Sequence, residues 1–180
     1  MPDLYETTPV PAVPDRTAAI DQSWVEAAGG SLSGEVADGR YWATATGIGE
    51  GEGERVVLFD LSQAFFGEAC TAQFATDVDA CASDYGVLAE PHGELPAVVD
   101  GLDAVSVVGE DQRNLVVDGD ELFRLVRGDP PAAAAPDEYR YVGFPFLLTV
   151  QDATIISAAQ IWVPEGSSGL RREPRGDVGE

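Results

Sequence analysis

The chain has 180 residues, 44% of them hydrophobic, which is enough for one domain with a proper core and excludes a wholly disordered protein. Thirty-two acidic residues stand against ten basic ones, all Arg, and the net charge of −22 repels nucleic-acid phosphate and anionic lipid. No apolar run approaches the roughly 20 residues needed to span a bilayer, and no signal-peptide pattern follows Met1. A cationic partner or a salty medium suits such a charge, although solubility alone also accounts for it.

Residues 1–36 carry Pro2, Pro9, Pro11 and Pro14 with Thr7 and Thr8, then Gly29, Gly30 and Ser31. They read as a flexible leader with at most a short helix over residues 18–28. Pro/Thr-rich leaders separate exported domains from a removed signal peptide or a lipid anchor. We therefore expect that the original N-terminus has been trimmed and Met1 added, the untrimmed precursor having carried a signal peptide or lipid anchor, with a native cytoplasmic start as the alternative. The folded part is expected over residues 37–164, and residues 165–180 read as a disordered polar tail.

Residues 40–48 (RYWATATGI) alternate as a strand does. Gly47, Gly49, Gly51 and Gly53, interleaved with Glu50, Glu52 and Glu54, make an acidic turn too mobile for a preformed metal site. Residues 55–60 form the next strand, after which Ser62 sits as a helix N-cap. Phe66, Cys70, Phe74, Val78 and Cys81 then follow at helical spacing.

On one unbroken helix Cys70 and Cys81 would lie about 16 Å apart. A disulfide needs Cα atoms within about 7 Å. Either the helix breaks and the two pair, or it continues and both are buried thiols. Thr71, Thr76, Asp77 and Asp79 are mediocre helix formers and favour the break, hence the disulfide.

Further strands are expected over residues 85–89, 104–108 and 114–117. A turn at Asp118 and Gly119 leads to a helix capped by Asp120, with Leu122, Phe123, Leu125 and Val126 inward. Residues 129–136 (DPPAAAAP) form a loop. Residues 139–150 and 154–163 read as two strands joined at Gln151 and Asp152. Phe144, Phe146, Leu148 and Val150 share one face; Ile155, Ser157, Ala159, Ile161 and Val163 share another. Pro145 places the first of these strands at an edge or a bulge.

The residue pattern offers little chemistry. His92, the one histidine, lies in a Pro/Gly loop, and no G-x-S-x-G elbow is present. Two cysteines eleven apart with one histidine do not match zinc spacings. Asp118, Gly119, Asp120 and Glu121 resemble a calcium loop only superficially, and helix capping explains Asp120 better. Arg127–Gly128–Asp129 and Arg175–Gly176–Asp177 repeat an adhesion tripeptide that chance accounts for in so Arg-, Gly- and Asp-rich a chain. Trp42, Tyr139, Tyr141 and Trp162 are the candidate ligand surface, with core packing as the alternative. No catalytic, metal or cofactor-binding residue is assigned.

Asp38–Gly39–Arg40–Tyr41–Trp42–Ala43, Val57–Leu58–Phe59–Asp60 and Gln63–Ala64–Phe65–Phe66–Gly67, with Ser83–Asp84–Tyr85 and Ile161–Trp162–Val163–Pro164, carry a resemblance. Over residues 38–164 the chain resembles an uncharacterised exported domain family of high-GC actinobacteria. Ser83 replaces the Asn of that family's N-D-Y element, and Asp152–Ala153 replaces its closing Asp-Gly turn. The resemblance implies a secreted or cell-envelope location and no activity.

The expected fold is one α+β domain. Its antiparallel sheet of about six short strands is curled or barrel-like, with one or two helices on one face. An all-β sandwich is the alternative. The expected function is a non-enzymatic exported or cell-envelope domain whose acidic surface binds a protein or other ligand. A carboxylate-dependent hydrolase acting on polysaccharide or peptide is one alternative, and an intracellular interaction protein is the other. Neither a cofactor nor a nucleic-acid partner is expected.

Overall fold

Two thirteen-residue strands, β2 (Gly39–Gly51) and β3 (Glu54–Phe66), form the long hairpin on which the molecule is built. Glu52 and Gly53 close it, both with positive φ (51° and 85°), as a two-residue hairpin turn requires. The computed structural model describes residues 3–18, 36–82, 84–88 and 94–163. The rest of the expected 18–28 helix, His92, Ser83, the 165–180 tail and its Arg–Gly–Asp run lie outside the described residues.

Nine strands and two α-helices are present among the described residues. Besides β2 and β3, the strands are β1 (Thr7–Thr8), β4 (Tyr85–Leu88), β5 (Glu94–Val98), β6 (Ala104–Val108), β7 (Asn114–Val117), β8 (Phe146–Gln151) and β9 (Thr154–Gln160). The helices are α1 (Gly67–Gln73) and α2 (Gly119–Arg127). The sheet runs β1-β7-β6-β9-β8-β2-β3-β4, with β5 also on β3. It is sheet-rich and open, which fits an α+β or an all-β description. The expected six strands are thus corrected to nine, barrel closure is absent, and β6 pairs with β9 in parallel.

The largest departure concerns β3. The strand does not stop at Asp60 but runs on to Phe66, and Ser62 is a strand residue opposite Trp42 whose hydroxyl donates to the Trp42 carbonyl at 3.4 Å. A spacing of four is a multiple of both the strand repeat and, nearly, the helix repeat, so positions 62, 66 and 70 satisfy either template. Cross-strand pairing with β2, β4 and β5 decides for the strand.

Val57, Phe59 and Leu61 alternate into the main core. Tyr41, Ala43, Phe146, Leu148, Val150, Ile155 and Ala158 join them from the neighbouring strands. A register shift between Thr149 and Val150 moves β9 out of simple alternation. Ala158 therefore packs inside with Ile155, while Ser157 and Ala159, expected on the same face as Ile155, are only half-buried. Residues 94–98, for which no element was expected, form β5, with Leu95 and Ala97 buried. Pro96 is tolerated because β5 pairs only with β3 and so lies at an edge.

Residues 3–18, expected in a flexible leader, are part of the fold. Thr7 and Thr8 pair with β7, and Tyr5 and Thr17 are buried. Above Trp42 strand β2 leaves β3 for β8, and residues 15–18 fill the gap. Thr17 N donates to Ala64 O and Ala18 N to Arg40 O, both at 2.8 Å. These backbone bonds depend on partners 22 or more positions away, which is why composition reads the segment as a tether.

Residues 139–145, expected as strand, are irregular for an identifiable reason. The buried Gln160 side chain donates to Val142 O (2.6 Å) and Phe144 O (3.1 Å) and accepts from Val108 N (2.9 Å). It occupies the carbonyls that a longer β8 would offer to β9. Asn114, also buried, donates to Gln160 O (2.8 Å) and Ser106 Oγ (3.1 Å), so this polar cluster is satisfied.

Candidate functional site

Helix α2 brings the one buried carboxylate among the described residues into the core. Its N-cap is Asp118, whose side chain accepts from Glu121 N at 2.8 Å; the cap is not Asp120. Asp120 instead pairs with Arg55 at 2.5 Å on the surface. Gly128 ends the helix in the left-handed conformation (φ 96°), its N–H and that of Asp129 returning to the last turn. The Arg127–Gly128–Asp129 run is therefore a helix terminus, with Arg127 paired to Asp129 and holding that carboxyl below its usual range.

Starting the helix at Asp118 turns Leu122, Phe123 and Leu125 inward and Glu121 with them, 3% exposed. Glu121 Oε1 accepts from the Tyr5 hydroxyl and from Ala132 N (2.7 Å), while Oε2 accepts from Arg124 (2.7 Å). A buried carboxylate is tolerated only when paired and hydrogen-bonded, and three donors supply that here. Arg124 also donates to Pro130 O (3.0 Å), tying down the loop after the helix.

The Tyr5 ring meets Tyr139 edge-on at 5.2 Å between centroids. Tyr139 is 4% exposed, and its hydroxyl has no hydrogen-bond partner among the described residues. Burial raises the pKa of Tyr5, as does its bond to Glu121, and burial raises that of Tyr139. Burial likewise pushes Tyr141 up to about 12. These phenols stay protonated near neutrality, and the Glu121 oxygens face donors of the chain itself. The cluster anchors the N-terminal segment to α2.

The second candidate lies at the other end of β3. Helix α1 ends at Gln73, and a 3-10 turn at Val78–Cys81 follows, so the chain breaks as the poor helix formers implied. Cys70 and Cys81 form a disulfide with Cα atoms 6.0 Å apart. Gly86 on β4 admits this corner: a Cβ there would lie 2.6 Å from the Phe74 ring and 3.0 Å from Cys70 Sγ. Phe74 packs edge-on against Phe65 at 5.9 Å. Between α1 and the N-terminal segment lies a shallow groove of about 550 Å³, lined by Val13, Pro14, Asp15, Phe66, Glu68 and Ala69 among others. Its lining mixes apolar side chains with the carboxylates of Asp15 and Glu68.

Of the expected ligand-surface aromatics, Trp42 and Tyr139 are buried in different clusters, and Tyr141 packs against the same core as Tyr139. Trp42 is 3% exposed and packs against Phe66 (5.2 Å) and Tyr85 (5.5 Å) with Ala64 and Leu147. Tyr139 lies in the main core, on the face that Tyr41 and Ala43 share and Trp42 does not. Tyr141 and Trp162 are half-buried. Sequence reasoning missed Glu121 as a buried acid, although its i,i+3 spacing to Arg124 was a usable signal, and it missed the Val13–Phe66 groove entirely. Among the described residues no three His, Cys, Asp or Glu side chains come together as metal ligands. No helix among them is long and apolar enough to cross a membrane. No family model, curated protein or solved structure matches this chain.

Proposed function

We propose that this chain is an exported or cell-envelope domain without enzymatic activity, binding a protein or other ligand through its surface. The observation that carries the reading is the Cys70–Cys81 disulfide, because such bonds form and persist in oxidising compartments. The resemblance over residues 38–164 to exported actinobacterial domains supports the same location. Of the two fold descriptions we favour α+β, since α2 contributes Leu122, Phe123 and Leu125 to the main core. The groove beside α1 is the surface we assign to the ligand, because apolar side chains and exposed carboxylates lie side by side there. The hydrolase alternative is weaker on one specific ground. The buried carboxylate, Glu121, has its oxygens engaged by Tyr5, Ala132 and Arg124 rather than aimed at a cleft.

Intact-mass analysis of protein purified from an oxidising compartment, alkylated with and without prior reduction, tests the location. Under this reading Cys70 and Cys81 take up label only after reductant. Labelling of both on unfolding without reductant would sink it.

A further inference from the structure

Three large hydrophobic side chains are exposed among the described residues, and two of them, Val10 (63%) and Val13 (43%), lie in one short run. That run, residues 9–14, reads PVPAVP. Proline fixes its own φ near −65° and excludes helix from the residue before it. Thr8, Val10 and Val13 each precede a proline, so of residues 8–14 only Ala12 escapes both constraints. The burial pattern then repeats every three residues. Thr8, Pro11 and Pro14 are half-buried, while Pro9, Val10, Ala12 and Val13 are exposed. Three residues per turn is the period of polyproline II. On that period two of the three rows face outward, and they hold the valines.

Both ends are fastened to the domain. Thr8 pairs with Asn114 on β7. Asp15 O accepts from Phe66 N (2.8 Å), and Thr17 Oγ1 accepts from Ala64 N (2.7 Å). A segment held extended at both ends has little conformational freedom left to lose on binding. An apolar cover would turn its valines inward; this run turns them out.

We propose that residues 9–14 are a presented polyproline II ligand for a protein whose groove is lined by aromatic side chains. Val10 and Val13, on the outward rows, fill two successive pockets about 9 Å apart, the rise of three polyproline residues. Val13 and Pro14 also border the groove at Phe66 and Ala69, so the partner's footprint continues onto α1. This names the partner class for the binding reading above and rests on it.

The test is a titration of isotope-labelled protein with two aromatic-groove probes, an isolated SH3 domain and an isolated WW domain, followed by amide NMR shifts. The expected result is saturable change centred on Val10, Ala12, Val13 and Asp15 with at least one probe. The double variant Val10→Ser/Val13→Ser keeps its melting temperature, because both side chains are exposed, and binds about tenfold more weakly. If that variant loses its fold, Val10→Ser alone reads the same contact. No saturable change with either probe at millimolar concentration overturns the proposal, as does binding that the substitutions leave intact. Phospholipid vesicles producing the same changes in place of the probes also overturn it. Any of these failures leaves the thiol-labelling result untouched, so the loss of this proposal is distinct from the loss of the exported reading.

Discussion

The Tyr5 hydroxyl donates to the buried Glu121 carboxylate across 116 residues of chain, and this bond joins the N-terminal segment to α2. Tyr5 takes positive φ (66°) to make it, a conformation costly for a bulky side chain. Removing the acceptor strands the Tyr5 hydroxyl, the Ala132 N–H and Arg124 together. Glu121→Ala should therefore cost about 3–5 kcal/mol. Tyr5→Phe removes one donor of three and should cost about 1–2 kcal/mol. Denaturant unfolding separates the two, and equal losses would contradict this ranking.

Tyr139 offers the converse case. Its hydroxyl is buried without a partner among the described residues, so the folded state bears an uncompensated desolvation cost. Tyr139→Phe deletes that oxygen and keeps the ring packed on Tyr5. The variant should be as stable as the parent or gain about 1 kcal/mol, read by the urea midpoint. A loss of similar size would mean that the hydroxyl holds a structural water.

The β8–β9 hairpin turns at Asp152 and Ala153, with φ of 51° and 59° and Gln151 paired to Thr154. Two left-handed positions suit a two-residue hairpin, but an alanine there costs about 1–2 kcal/mol. Ala153→Gly relieves that cost and returns part of it through the looser unfolded chain. A net gain of about 0.5–1 kcal/mol is expected, seen as a higher denaturant midpoint at unchanged slope.

All five tyrosines of the chain have pKa values raised by burial. The folded state holds each phenolic proton more tightly than the unfolded state does. Their contribution is complete below about pH 10, where the unfolded phenols remain protonated, and is lost as pH climbs above it. Alkaline titration should show phenolate absorbance and loss of near-ultraviolet circular dichroism rising together. Ionisation of all five well before unfolding would contradict the assignment.

The disulfide was readable because its logic is local. Poor helix formers between Cys70 and Cys81 break the helix, and the break brings the two within bonding reach. The strands at 104–108 and 114–117 and the helix of Leu122, Phe123 and Leu125 were readable for the same reason, their hydrophobic repeat being short-range. The helix start at Ser62, the strand over 139–145 and the free leader were not, because each turns on partners distant in sequence; the cap at Asp118 rather than Asp120 is by contrast a local contact, to Glu121 N three residues on. Gln160 claims the carbonyls of Val142 and Phe144, and β2 and β4 claim the edges of β3.

For the candidate surfaces the division is similar. Composition and spacing established the acidity and narrowed the cysteines to a disulfide or two buried thiols, but they read residues 8–14 as part of a flexible leader. Only the tertiary structure decided that this run is pinned at both ends with its valines outward, that Trp42 and Tyr139 are packing residues, and that Glu121 is enclosed. Which side of a residue faces solvent depends on elements that pack against it from elsewhere in the chain, and no local pattern carries that information.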